Sequence, residues 1–83
     1  MKLICNICDS EIINCIYCKN CDYSTNSLII DVYINDVKKY YYNFIAENFP
    51  IYIYNSYNGE LITIFIPVDF NQLKSYIENL IFL

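Results

Sequence analysis

All five cysteines of this chain fall at positions 5, 8, 15, 18 and 21, and the 62 residues that follow contain none. The pattern is Cys5-x2-Cys8, a six-residue gap, then Cys15-x2-Cys18-x2-Cys21. A Cys-x-x-Cys turn brings two sulfurs onto one ion, and a short connection lets two such turns share it. Four thiolates at about 2.3 Å from a divalent ion make a closed tetrahedral site. The chain has no histidine, so neither imidazole ligands nor Ser-His-Asp or Cys-His catalysis is available to it. At 83 residues the hydrophobic core is small, and domains of this size are commonly stapled by a metal or by disulfides. Residues 1–8 lack the apolar run of a secretory signal. The expectation is therefore a reducing, cytoplasmic setting in which the cysteines serve as metal ligands rather than disulfides. The metal expected is Zn²⁺.

Cys5 and Cys8 form the first knuckle in any arrangement. The second is either Cys15/Cys18 or Cys18/Cys21. The residue after a knuckle's second cysteine often takes left-handed backbone, which Asp and Asn tolerate better than most residues. Asp9 follows Cys8 and Asp22 follows Cys21, whereas Lys19 follows Cys18. The matching pairs favour Cys5, Cys8, Cys18 and Cys21, with Cys15 as a spare thiol acting as small apolar filler. Four thiolates around a divalent ion carry a formal charge of −2, which Lys2 and Lys19 partly offset.

The segments Cys5-Asn6-Ile7-Cys8-Asp9 and Tyr17-Cys18-Lys19-Asn20-Cys21-Asp22-Tyr23 resemble a short zinc ribbon, including the aromatic residue before the second knuckle and the one two places after it. The resemblance covers residues 3–23, about a quarter of the chain. Both knuckles lack the Pro and Gly of the family's usual Cys-Pro-x-Cys-Gly form, which sets the chain apart from the iron-holding rubredoxin branch. The layout of a ribbon followed by a small sheet and a last helix is similar to that of small viral and phage zinc-ribbon proteins of uncharacterised role. An AT-rich coding bias, visible in 16 Ile, 11 Asn and 10 Tyr against one Gly and no Trp, fits such a source. Zinc ribbons serve many functions, so the class alone fixes none.

Beyond the cysteines the chain reads as one domain, 1–83, with a zinc-ribbon lobe at 1–26 and an antiparallel sheet plus C-terminal helix at 27–83. Leu28 to Ile34 is short and β-branched, a strand signal. Asn35-Asp36 is a two-residue turn, and Lys38 to Ile45 returns as the partner strand, placing Asp31 beside Lys39. Asn58-Gly59 predicts a type I′ hairpin turn, which opposes Ile53 to Ile64 and Ile51 to Ile66. That register puts Ile51, Ile53, Ile62, Ile64 and Ile66 on one face and Tyr52, Tyr54, Thr63 and Phe65 on the other. Pro67 ends the strand. Asp69 reads as a helix N-cap with Gln72 completing a capping box and Val68 and Leu73 forming a staple. Phe70, Leu73, Ile77, Leu80 and Ile81 make the apolar stripe of a helix lying on the Ile face. The fold class expected is α+β with about four antiparallel strands.

A four-thiolate site is closed, which argues against a catalytic metal. The acidic residues are scattered, with no pair set for acid–base work, and a redox Cys-x-x-Cys lacks its βαβ setting. The expectation is a non-enzymatic accessory module that binds another protein, with Tyr40, Tyr42, Tyr52, Tyr54 and Phe65 as the candidate interface, since Tyr is enriched at interfaces. The alternative is a nucleic-acid-associated zinc ribbon, such as a transcription accessory. The charge balance opposes that alternative, because the chain has five Lys, no Arg and a net charge of −4, and phosphate tracking runs on cationic side chains. Its longest uncharged apolar run, Leu61 to Val68, is far too short to span a membrane.

Overall fold

The computed structural model describes residues 1–80. Its elements are strands β1 (Lys2–Cys5), β2 (Glu11–Ile12), β3 (Leu28–Ile34), β4 (Val37–Phe44), β5 (Ile51–Asn55) and β6 (Leu61–Phe65), followed by helix α1 (Phe70–Leu80). The class is α+β. The sheet has six strands in the order β2-β1-β3-β4-β5-β6, every neighbour antiparallel. Two more strands are present than the four expected, because the cysteine-bearing segment supplies β1 and β2, and β1 hydrogen-bonds directly along β3.

Turn chemistry sets the central hairpin. Asn35 and Asp36 both have positive φ, 51° and 64°, the backbone a type I′ turn demands and short polar side chains tolerate. A β-bulge between Val32 and Tyr33 leaves Lys39 without an opposite residue. The ion pair of Asp31 is made by Lys38, whose Nζ lies 3.5 Å from Asp31 Oδ1, and not by the expected Lys39, because Lys38 sits opposite Tyr33 and so shares the face of Asp31.

The β5–β6 hairpin departs further. Only Gly59 has positive φ (73°), and Asn58 does not, so the turn is not type I′. Asn55 N donates to Glu60 O at 2.8 Å and Gly59 N to Asn55 O at 2.8 Å, enclosing a four-residue loop. Asn55 Oδ1 accepts from Tyr57 N, and Asn58 Oδ1 accepts from Glu60 N. A bulge then opposes Tyr54 to Leu61 but Ile53 to Thr63, leaving Ile62 as the extra residue. Because successive side chains alternate faces, that one residue moves the rest of β6 to the opposite side. Ile51 therefore faces Phe65 and Ile53 faces Thr63. Ile62, Ile64 and Ile66 are exposed and share a face with Tyr52 and Tyr54, correcting the expected sorting of Ile from Tyr.

One face of the sheet is covered. Leu3, Cys5, Leu28, Ile30, Val32, Tyr42, Phe44, Ile51 and Ile53 are buried there with Leu73 and Ile77 of α1. Each fully buried aliphatic side chain contributes roughly 1.5–3 kcal/mol. The helix N-cap forms as its sequence predicts, but the expected staple does not, because Val68 is 80% exposed while Leu73 is fully buried. Gln72 N donates to Asp69 Oδ1 at 2.8 Å. The return bond of the box, from Gln72 Oε1, takes the N–H of Val68 at 2.6 Å rather than that of Asp69. The helix is further fixed by Tyr76, whose ring stacks on Phe65 at 4.1 Å and whose hydroxyl meets Thr63 Oγ1 at 2.8 Å. The stripe position Ile81 and the apolar end at 82–83 lie outside the described residues.

Candidate metal centre

Both knuckles are built from backbone hydrogen bonds. In the first, Asp9 N donates to Cys5 O at 2.9 Å and Cys5 N to Ser10 O at 2.9 Å. Asp9 takes positive φ (61°), as its position after Cys8 predicts. Cys5 closes β1 and is buried, whereas Cys8 projects to solvent. Asn6 N donates to Ile29 O at 2.9 Å, and Asn6 Nδ2 donates to Asp31 Oδ2 at 3.1 Å. The buried carboxylate of Asp31 thus holds the first knuckle against β3. In the second knuckle Cys21 N approaches Cys18 O at 3.4 Å. Asp22 does not take left-handed backbone. Its carboxylate instead accepts from Ser24 N (2.9 Å) and Ser24 Oγ (2.6 Å), and these bonds hold its pKa below the usual carboxylate range.

The sulfurs of Cys5, Cys8, Cys18 and Cys21 all lie within 4.8 Å of one another. A regular tetrahedron with metal–sulfur bonds of about 2.3 Å has edges of about 3.8 Å. Across the two knuckles, Cys5 Sγ lies 3.8 Å from Cys21 Sγ and Cys8 Sγ lies 3.5 Å from Cys18 Sγ. The donor set and spacing fit one metal ion held by four thiolates. Cys15 is not among the four. It is half-buried and packs at the margin of the core.

The thiols differ in how readily they ionise. The hydroxyl and N–H of Ser10 donate to Cys8 Sγ, joined by contact with Cys18, and lower its pKa to about 6. Desolvation, then contact with Cys5 and the other sulfurs, pushes Cys21 up to about 12. Burial also raises Cys18, against a hydrogen bond from the Asn20 N–H. A metal requires the thiolate form of every ligand, so binding releases protons.

Residues 13–27, which carry the second knuckle, fold over the covered face of the sheet beside α1. Tyr42 is fully buried, and its hydroxyl donates to Ile16 O at 2.7 Å. Tyr17 stacks on Phe44 at 4.9 Å, and Tyr23 meets both rings edge-on at 5.3 and 5.2 Å. The two aromatic residues flanking the second knuckle are thus the clamp that holds it to β4. Tyr17 also donates to Glu47 Oε1 at 3.0 Å, which raises the Tyr17 pKa.

The expected aromatic interface is divided by the sheet. Tyr42 is buried and belongs to no surface. Tyr40 packs against the core, as does Phe65. Tyr52 and Tyr54 stand on the opposite, uncovered face, where Tyr54 stacks on Tyr41 at 5.1 Å. Tyr41 was not among the candidates read from sequence. Its signal was strand alternation, which sets Tyr41 apart from Tyr40 and Tyr42 and pairs it with Tyr54. Ile29 is exposed on the same face.

Among the described residues no helix is long and apolar enough to cross a membrane. Comparison with protein-family models, with curated proteins and with solved structures found no match.

Proposed function

We propose that this chain is a non-catalytic module, stabilised by a structural Zn²⁺ on Cys5, Cys8, Cys18 and Cys21, that acts by binding another protein. The observation that carries the reading is the closed set of four sulfurs within 4.8 Å. Four protein thiolates fill a tetrahedral site and leave no position for substrate. Thiolate ligands suit both zinc and iron. The ribbon-like knuckles without Pro or Gly favour zinc, which would stabilise the fold without redox chemistry. The binding surface we assign is the uncovered face of the sheet, where Tyr41, Tyr52 and Tyr54 stand beside Ile29. Tyrosine gives large contact area with a polar end, which suits protein interfaces. The viral or phage setting belongs to the same reading and rests on the ribbon-like layout and the coding bias.

Mass spectrometry of the metal content of the purified protein tests the first half. One zinc per chain and no visible absorption are expected, and a coloured ferric thiolate protein would overturn the zinc assignment. Affinity capture tests the second half, comparing the wild type with a Tyr52→Asp/Tyr54→Asp variant that keeps its metal. A protein captured by the wild type, lost with the variant and resistant to nuclease, is expected. Capture that nuclease abolishes would favour the nucleic-acid reading, and capture unaffected by the substitutions would overturn the assigned surface.

A further inference from the structure

The sheet ends differently at its two edges. β2 is two residues long and begins with Glu11. A short, charged edge of this kind resists pairing with another strand. β6 is the opposite edge, and no described segment hydrogen-bonds to its outer side. No charged residue occurs from Leu61 to Val68. Helix α1 packs on the covered face, through Tyr76 on Phe65 and Thr63, and leaves the edge open. Ile62, Ile64 and Ile66 project beside that edge at 39%, 51% and 53% exposure. Natural proteins blunt such strands with lysine, proline or cover. Here the bulge at Ile62 is the one such device within the strand.

We propose that β6 pairs with β6 of a second copy of this chain, antiparallel about a two-fold axis through Ile64, to make one continuous sheet. The axis runs perpendicular to the sheet, so like faces continue into like faces. The register opposes Ile64 to its own counterpart and Ile62 to Ile66, gathering six isoleucines into one row of cross-strand contacts. On the covered face it opposes Thr63 to Phe65. Unpaired backbone groups repeating every second residue are met by another strand, and the strand must bring side chains that fit the isoleucine row. The chain's own β6 does both.

Charge does not oppose the pairing at this edge. With a net charge of −4, two copies repel over most approaches. Along the paired stretch, Leu61 to Ile66, no acid opposes another, because that stretch carries no charged residue. Pro67 stops the pairing just past Ile66, since proline has no N–H to donate. The blunted β2 edge prevents growth at the far side, so the association closes as a two-fold dimer rather than a fibre. This inference is independent of the surface assigned to a heterologous partner, which lies on the interior strands.

The test is sedimentation velocity of the full, zinc-loaded chain at rising protein concentration. The expected particle has twice the 9.9 kDa chain mass. Ile64→Lys should halve that mass while metal content and circular dichroism stay unchanged. Ile66→Lys carries the same test should Ile64→Lys fail to fold. Ile29→Lys, on the same face but on β3, should leave the dimer intact. A wild type that stays monomeric at high micromolar concentration would overturn the proposal. So would a dimer that survives both edge lysines, or one that Ile29→Lys dissociates equally well, since that would show pairing through the face. Capture of a foreign strand by monomeric protein would assign the edge to a different occupant.

Discussion

Tyr42 joins the loop that carries the second knuckle to the sheet by a hydrogen bond to the carbonyl of Ile16 at 2.7 Å. Tyr42→Phe keeps the ring and its packing but removes the donor, leaving a carbonyl without its partner. The expected cost is about 1–2 kcal/mol, read as a lower urea midpoint at unchanged slope. The cysteines permit a sharper comparison. Cys15 lies outside the sulfur cluster, so Cys15→Ser should retain one metal per chain. Cys21 contributes one of the four sulfurs, so Cys21→Ser should lose the metal or bind it far more weakly, as titration against a metal indicator would show. Much of the site was legible at this scale. The doubled Cys-x-x-Cys and the Asp after Cys8 are local signals, and both act locally. The role of Asp22 was not, because aspartate suits a left-handed backbone and a side-chain turn equally well, and only the position of Ser24 decides between them.

At the scale of elements, the helix is the part most fully written in sequence. Asp69→Ala removes the cap on Gln72 N and should cost about 1 kcal/mol. Leu73→Ala empties a fully buried site and should cost about 2–5 kcal/mol. Thermal melts of the metal-loaded protein separate the two effects by size. The strands were less legible, and the reason is one residue at two places. A bulge gives no compositional signal, yet the one at Val32/Tyr33 moved β4 from Tyr40 onward by one residue, which sets Tyr42 opposite Ile30, and the one at Ile53/Tyr54 turned three isoleucines outward. Asn58-Gly59 misled for a related reason. The pair suits a type I′ turn, but Asn55 and Asn58 each accept a backbone bond from two residues ahead, and together they support a longer loop. β1 and β2 escaped because a four-residue strand ending in cysteine is recognisable only by its partner, and the partner β3 lies more than twenty residues away.

For the molecule as a whole, the sulfur cluster and the sheet share residues. Residues 13–27 contain no strand or helix, and what holds them down is the sulfur cluster, the Tyr17–Tyr23–Phe44 clamp and the Tyr42 bond. Cys5 supplies one of the four clustered sulfurs and is at the same time a buried residue of β1, paired with Ile30. Removing the ion therefore frees the cover of Tyr42 and Phe44 and loosens the end of β1 in one step. Structural zinc contributes roughly 10–16 kcal/mol of apparent free energy in small peptides, against a total stability of about 5–15 kcal/mol for a domain. Even a net loss of about 3 kcal/mol would lower Tm by about 12–24 °C in a chain of this size. The expected outcome of chelation is thus a fall of at least about 12 °C, with far-UV circular dichroism and tyrosine fluorescence moving together. A sheet signal that melts unchanged while the tyrosines of the loop respond alone would show two independent units, and the metal would then staple the loop without supporting the fold.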